Sequence, residues 1–417
     1  MRIVALSFVT GLAAIVLAGC ALLDSRDSVS PPTSGDAATG PSQQERRGII
    51  QACPDPPAGE ARCFALILEG QPTRDGATGP RGGFSPADLQ KVYNLPSSSK
   101  GSGQIVAIVD AYDNPNVATD LAYYRSYFGL PKANFFKYNQ EGQKSNYPKN
   151  CLEKGAGWCD EIDIDVDMVS AACPNCTIYL VEANSGFHTN FEVAEAQAVR
   201  LGAHIVSDSW GCNLPNPNCG FHQNFFDTPG VTYVVAAGDD GYGTAEPVFD
   251  SVVSVGGTHL ERGRGRRGWN ESAWGGNGYP EGPGGGCSNQ PKPAWQHDAG
   301  CSFRTANDAA AVADPLTPVD VYDSLYPSSG GWVLDGGTSV AAPLIAGVFG
   351  LAGNATKQNG GKTFWEKAHQ QPSDLNPISR GSDGHCTPRY LCTDGTREYK
   401  SYGGPTGWGT PNGVGAF

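Results

Sequence analysis

Basic charge is scarce in this 417-residue chain: 29 Lys and Arg stand against 42 Asp and Glu, for a formal net charge of −13. Phosphate recognition needs clustered Lys and Arg, so the balance argues against nucleic-acid binding. Charge of either sign is thin, at 17% of residues, below the usual share of about 25%. Long hydrophobic runs are lacking as well. Ile3–Leu17 is too short to span a bilayer comfortably, and no second such stretch follows it. No internal repeat is visible. What the chain has in excess is glycine, 56 residues, about double the usual ~7% share, which suits many close-packed turns. Apolar content suffices for a sizeable core, and the length permits one large domain or two to three ordinary ones.

The first residues read as an address. Met1-Arg2 is a minimal basic start, Ile3–Leu17 an apolar core, and the run ends Leu17-Ala18-Gly19-Cys20. This resembles the lipobox of bacterial lipoprotein signal peptides, which implies removal of residues 1–19, a lipidated Cys20 and attachment to a membrane. The alternative is an ordinary secretory signal with a chance cysteine, and either way the protein is expected to be exported. Residues 20–50 are mostly polar, with Pro, Gly and Ser, and read as a lipid anchor and flexible tether.

Cysteine count agrees with export. Setting Cys20 aside leaves 12 of 13, in neighbouring couples: Cys53/Cys63, Cys151/Cys159, Cys173/Cys176, Cys212/Cys219, Cys287/Cys301 and Cys386/Cys392. Such couples look like loop staples in an oxidising compartment, although connectivity does not follow from sequence. Cys173-Pro-Asn-Cys176 also has the spacing of a redox motif, without thioredoxin-like surroundings. The histidines are not spaced with the cysteines as a zinc site requires.

After a short N-terminal segment, 51–84, Ser85-Pro86 marks a helix start, with Ser as N-cap and Pro at the first helical position. Strands are expected at Gln104–Asp110, Thr177–Glu182, His204–Ser209, Val231–Ala237 and Ser251–Val255, and helices at Val117–Phe128 and Phe191–Leu201. The alternation predicts an α/β fold, a parallel sheet with helices on both faces and disulfide-stapled loops. Arg262–Arg267 reads as a solvated loop or a partner-binding one.

Three places could carry chemistry. In Gly336-Gly337-Thr338-Ser339-Val340-Ala341-Ala342-Pro343 a serine sits at a helix N-terminus, as a nucleophile whose own N–H can face an oxyanion or simply as a cap. In Asp160–Asp167 acidic and apolar residues alternate, which on periodicity reads as a strand. Glu161 and Asp165 share a face in a strand or a helix alike. Two carboxylates that close raise the pKa of the pair, as an acid or base needs; a solvated acidic face or a cation site fits too. In Val234–Gly241 an acid, Asp239, follows directly from a buried strand, where ligand sites collect and where turns also favour Asp.

The order of acid pair, Gly238-Asp239 and Gly337-Thr338-Ser339-x-x-x-Pro343 resembles the sedolisins, serine-carboxyl peptidases with a subtilisin-like fold, over roughly residues 85–417. The resemblance implies a serine-type endopeptidase acting on peptides or proteins. Ser339 would be the nucleophile, Glu161 the base, Asp165 its orienter and Asp239 the oxyanion residue, with activity favoured in acid. Ser207-Asp208-Ser209-Trp210-Gly211 resembles the strand that lines the family's substrate cleft. Two departures stand out. The stretch before Ser85 is short for a family that carries a long propeptide, so either this branch manages without one or the Cys53–Cys63 segment does a reduced job. Aligned to the family, the calcium site has Pro377 and Gly403 at its two aspartate positions, neither with a side-chain oxygen for a hard cation; Asp374 or Asp383 could substitute only after a local shift, so no cofactor is expected. A monomer is expected.

Rival readings remain. A subtilisin proper needs a histidine at a glycine-rich helix start, and none of the seven has that context, although Asp110 ends a central strand in the right way. An α/β-hydrolase esterase would use Ser339, Asp374 and His385, but lacks the second elbow glycine and leaves Glu161, Asp165 and Asp239 unexplained. A catalytically inactive peptide-binding lipoprotein on a peptidase scaffold is the third.

Overall fold

A mostly parallel, eight-stranded sheet organises the chain. In the computed structural model its strands run, edge to edge, Trp269–Ala273, Val252–Arg262, Thr232–Ala236, Ile205–Asp208, Ile105–Ala111, Thr177–Ala183 and Asn134–Asn139, with Ala309–Val312 pairing off this path beside Val252–Arg262. Only Trp269–Ala273 is antiparallel to its neighbour. The structure describes residues 48–72, 76–154, 157–213, 220–243, 245–275, 281–370 and 372–417. The expected signal peptide, Cys20 and nearly all of the tether lie outside the described residues, as does Cys219 of the expected Cys212/Cys219 couple. Among the described residues no helix is long and apolar enough to cross a membrane.

The central strands are buried throughout, Val106–Asp110 completely, which is why they read as unbroken apolar runs. Ser85 caps the helix Pro86–Val92 in a full capping box with Asp88. Helices Val117–Tyr127 and His188–Arg200 fall where the pattern put them, to within a few residues.

One expectation is overturned. The alternating stretch Asp160–Asp167 is not a strand but lies inside the helix Gly157–Ala172. All sixteen residues of that helix are buried, so it has no solvent face to print a 3.6-residue period on the sequence. The alternation therefore carried no information about the backbone. The solvated acidic face is excluded for the same reason.

That helix packs against Thr338–Ala352, the helix of the Gly-Thr-Ser motif, through small residues. A Cβ on Gly347 would stand 2.6 Å from the Ala172 Cβ, so the close approach needs glycine here. A second sheet is built partly from the N-terminal segment. Ile49–Gln51 pairs with Leu66–Leu68, which pairs with Trp332–Gly336, the strand leading into the Gly-Thr-Ser turn. Arg62–Cys63 pairs with the strand Trp210–Asn213.

Five of the expected cysteine couples are disulfides: Cys53–Cys63, Cys151–Cys159, Cys173–Cys176, Cys287–Cys301 and Cys386–Cys392. Arg262–Arg267 forms most of the hairpin turn before Trp269; Arg262 lies over the Trp269 ring and Arg267 pairs with Glu271 at 2.6 Å. Trp269, Trp274 and Trp332 are buried packing residues.

Candidate active site

Ser339, Glu161, Asp165 and Asp239 come from distant parts of the sequence and meet at the sheet. Ser339 is the second residue of its helix, after the N-cap Gly337 and Thr338. Its N–H is one of the first four helix amides, which have no intrahelical acceptor. The Ser339 Oγ donates to Glu161 Oε2 at 2.7 Å and lies 3.3 Å from the Ser209 carbonyl oxygen. One turn further along the same face, Asp165 accepts a 2.7 Å hydrogen bond at Oδ1 from the Ser209 hydroxyl. Serine, glutamate and aspartate are all buried, and Ser209 links them, its carbonyl beside Ser339 and its hydroxyl on Asp165.

Burial sets the electrostatics. It pushes the Glu161 carboxyl well above its usual range, the charges of Asp165 and Asp110 add to the rise, and the Ser339 hydrogen bond opposes it. Burial and the Asp110 charge raise Asp165 in the same way, against its hydrogen bond with Ser209. The acids continue behind this pair. Asp110, buried at the end of its strand, is raised by burial and by Asp208. Burial brings Asp208 up to about 7, and burial and the Asp208 charge raise Glu195. Sequence reasoning placed Asp110 in a subtilisin comparison and Asp208 in a cleft motif but did not join them to the acid pair. Glu195 carried no signal in the sequence.

Asp239 meets the residue just before the serine. Its Oδ1 accepts from the Thr338 N–H and the Thr338 hydroxyl, both at 2.8 Å, and that hydroxyl accepts from Gly238 N at 3.1 Å. Its other oxygen, Oδ2, is buried without a hydrogen-bond partner. Burial pushes the carboxyl up to about 7, against the two Thr338 hydrogen bonds. A carboxyl of that pKa is protonated in mild acid, and since Oδ1 is committed as an acceptor the proton belongs on Oδ2. Thr338 is thus the residue that orients Asp239, a role the Gly-Thr-Ser motif did not announce.

Other acids were candidates for a cation. Asp120, Asp163 and Asp323 bring ligand oxygens within 4.8 Å of one another. Each already accepts a hydrogen bond, from Ser324, Asn114 and Leu325 respectively, and we assign no metal there. Near the C-terminus, Leu375–Asn376 pairs with Thr410–Pro411. This sets Gly409, and not Gly403, against Pro377, while Gly403 lies against the buried Asp394.

The protein is thus an α/β protein of the subtilisin-like class, with a serine and three acids gathered at one helix N-terminus. No protein-family model matches the chain. Kumamolisin from Bacillus sp. (strain MN-32) is 29% identical over 301 residues, covering 63% of this chain and 51% of kumamolisin. Sedolisin from Pseudomonas sp. (strain 101) is 24% identical over 367 residues, covering 80% of this chain and 60% of sedolisin. The chain thus spans between half and two thirds of the length of these curated relatives. Among solved structures, the Pseudomonas sedolisin described as a serine-carboxyl proteinase complexed with two molecules of pseudo-iodotyrostatin superposes with a TM-score of 0.66. Its identity is 24%, over 79% of this chain and 95% of that one. These homologues and this structural neighbour support the sedolisin family for the chain.

Proposed function

We propose that the chain is an exported serine-carboxyl peptidase that hydrolyses peptide bonds through a Ser339 acyl-enzyme. The observation that carries this is the 2.7 Å hydrogen bond from Ser339 Oγ to Glu161. A buried carboxyl within hydrogen-bond reach of the serine supports Glu161 as the base.

Glu161 takes the Ser339 proton as the oxygen attacks the substrate carbonyl carbon. Asp165 shares a proton with Glu161 and holds it in the serine-facing rotamer. The oxyanion that forms is met by the Ser339 N–H and by the proton on Asp239 Oδ2. Glu161 then gives its proton to the departing amine, and water cleaves the ester by the reverse sequence. The donor at Asp239 exists only while that carboxyl is protonated, so the reaction favours acid. Cys20 would hold the enzyme to a membrane through lipid, and the protein would act as a monomer. The C-terminal loop would keep its shape without calcium, because Pro377 offers a cation no side-chain oxygen and Cys386–Cys392 staples the region.

The test is peptide hydrolysis from about pH 3 to about pH 8 by the chain and its Glu161→Ala variant. Acid-favoured cleavage that the variant loses is the expected result. Cleavage that survives the substitution, or that peaks near neutrality, would instead require a histidine base, as an esterase using Ser339, Asp374 and His385 would have.

A further inference from the structure

The candidate cleft is filled by the chain's own residues 61–66. Each residue from Ala61 to Leu66 is at most 4% exposed. Arg62 and Cys63 pair antiparallel with Gly211 and Trp210, and the Phe64 N–H donates at 3.1 Å to the Ser209 carbonyl that also lies beside Ser339 Oγ. Two residues on, Leu66 pairs with Gly336, just before the Gly-Thr-Ser turn. The segment therefore crosses from one side of Ser339 to the other as an added strand, the way an extended peptide binds by strand addition. Its register is fixed at the oxyanion side. A Cβ on Gly337 would overlap the Phe64 carbonyl oxygen and stand 2.6 Å from Asp239 Oδ2, so these two oxygens border the same small space. Of the segment's carbonyls, Phe64's is the one the geometry places next to Asp239.

With that register, the side chain two residues before the presented carbonyl is Arg62. Its Nη2 reaches both oxygens of Asp240, at 2.9 and 2.7 Å, while Nη1 reaches Asp55 at 3.4 Å. Asp55 belongs to the N-terminal segment itself. Asp240 belongs to the cleft wall, adjacent in sequence to Asp239, and would meet any peptide that replaced the segment.

We propose that Asp240 is a specificity residue, selecting a basic side chain two positions before the scissile carbonyl in peptides with a large apolar residue at that carbonyl. The segment Ala61–Leu66 is an internal stand-in for such a peptide. The inference rests on the peptidase reading above. Asp240 is about half exposed, with 48% of its side chain accessible, so its selection is modest, roughly fivefold.

The experiment uses three peptides that differ only two residues before a phenylalanine, carrying Arg, Ala or Glu there. They are assayed in acid with the full chain, with Asp240→Arg, and with Arg62→Glu, in which Asp240 repels the chain's own strand. Wild type should cleave after the phenylalanine with kcat/KM falling from Arg to Ala to Glu, about fivefold per step. Asp240→Arg should reverse the order. Arg62→Glu should turn over the Arg peptide faster than wild type. Equal rates on all three peptides, or an unchanged order in Asp240→Arg, would overturn the inference and leave the peptidase standing. No cleavage by any of the three proteins would overturn the peptidase reading, and this inference with it.

Discussion

Ser339 and Glu161, 178 residues apart in sequence, are joined by a 2.7 Å hydrogen bond because their helices touch at Gly347 and Ala172. The hydrogen bond is only as good as that packing. Gly347→Ala places a methyl 2.6 Å from Ala172 Cβ, and forcing extra volume into a filled core costs about 1–3 kcal/mol. The helices should part by a few tenths of an ångström, and kcat should fall by about tenfold, since misplaced catalytic groups lose rate steeply. Adding Ala172→Gly should restore both kcat and melting temperature. Measured separately, kcat that recovers only in the double variant would tie the loss to the interhelical fit.

Asp239 gives a distinct pH signature. Its carboxyl, raised by burial to about 7, is protonated below that pH and ionised above it. The Oδ2 proton is thus present in acid and lost as pH rises through about 7. Asp239→Asn should keep the two Thr338 hydrogen bonds at Oδ1 and supply a permanent N–H donor at the other position. We expect kcat/KM of the wild type to decline through this limb, and the decline to vanish in Asp239→Asn at an overall cost of about ten- to a hundredfold in acid. A limb that persists unchanged in the variant would assign it to another group.

The sequence carried the fold and the chemistry to different depths. Central strands such as Ile105–Ala111 were legible because burial on both faces leaves a run of apolar residues, broken here only by Asp110. The Ser85 helix start was legible because capping is local chemistry. Ser339, Glu161, Asp165 and Asp239 were legible because short motifs held them. What was hidden depended on distance. The helix Gly157–Ala172 has no exposed face, so its acids mimicked a strand. Glu195 joins the acid chain only through Asp208, across the fold. The Arg62–Asp240 pair spans 178 residues, and no local pattern could have announced that residues 61–66 lie in the cleft.

Stability should also favour acid. In a carboxyl whose folded pKa is raised, the folded state holds a proton that the unfolded state has released. Its contribution is present in full below the unfolded pKa, about 4, and is lost as pH rises through the folded value. Burial takes Asp208 and Asp239 to about 7 and Asp320 to about 6, and it raises Asp110, Glu161 and Asp165 as well. The losses should therefore concentrate between about pH 4 and pH 7. Calorimetry should find a higher melting temperature near pH 4 than near pH 7.5, the reverse of the usual trend for proteins whose acids are ion-paired. Asp208→Asn, neutral at every pH, should flatten the slope.

Arg304 centres a buried hydrogen-bond network and should be among the costliest residues to change. It is fully buried, and its guanidinium donates to the carbonyls of Phe249, Thr305 and Val252 at 2.9–3.0 Å and to Asp308 Oδ2 at 2.7 Å. Asp308 in turn accepts from Ser254 N at 2.9 Å and Trp365 Nε1 at 3.1 Å. Truncating the arginine would leave three carbonyls and a carboxylate in the dry interior, a loss of about 3–5 kcal/mol for a broken buried pair. Arg304→Met should lower the denaturation midpoint accordingly. Arg304→Lys should rescue only part of it, because an ammonium cannot reproduce a planar fork over four acceptors. The double variant Arg304→Met with Asp308→Asn should lie closer to wild type than Arg304→Met alone, because the uncompensated charge is gone while the carbonyls stay unpaired. A double variant no better than the single one would place the cost in the carbonyls and not in the ion pair.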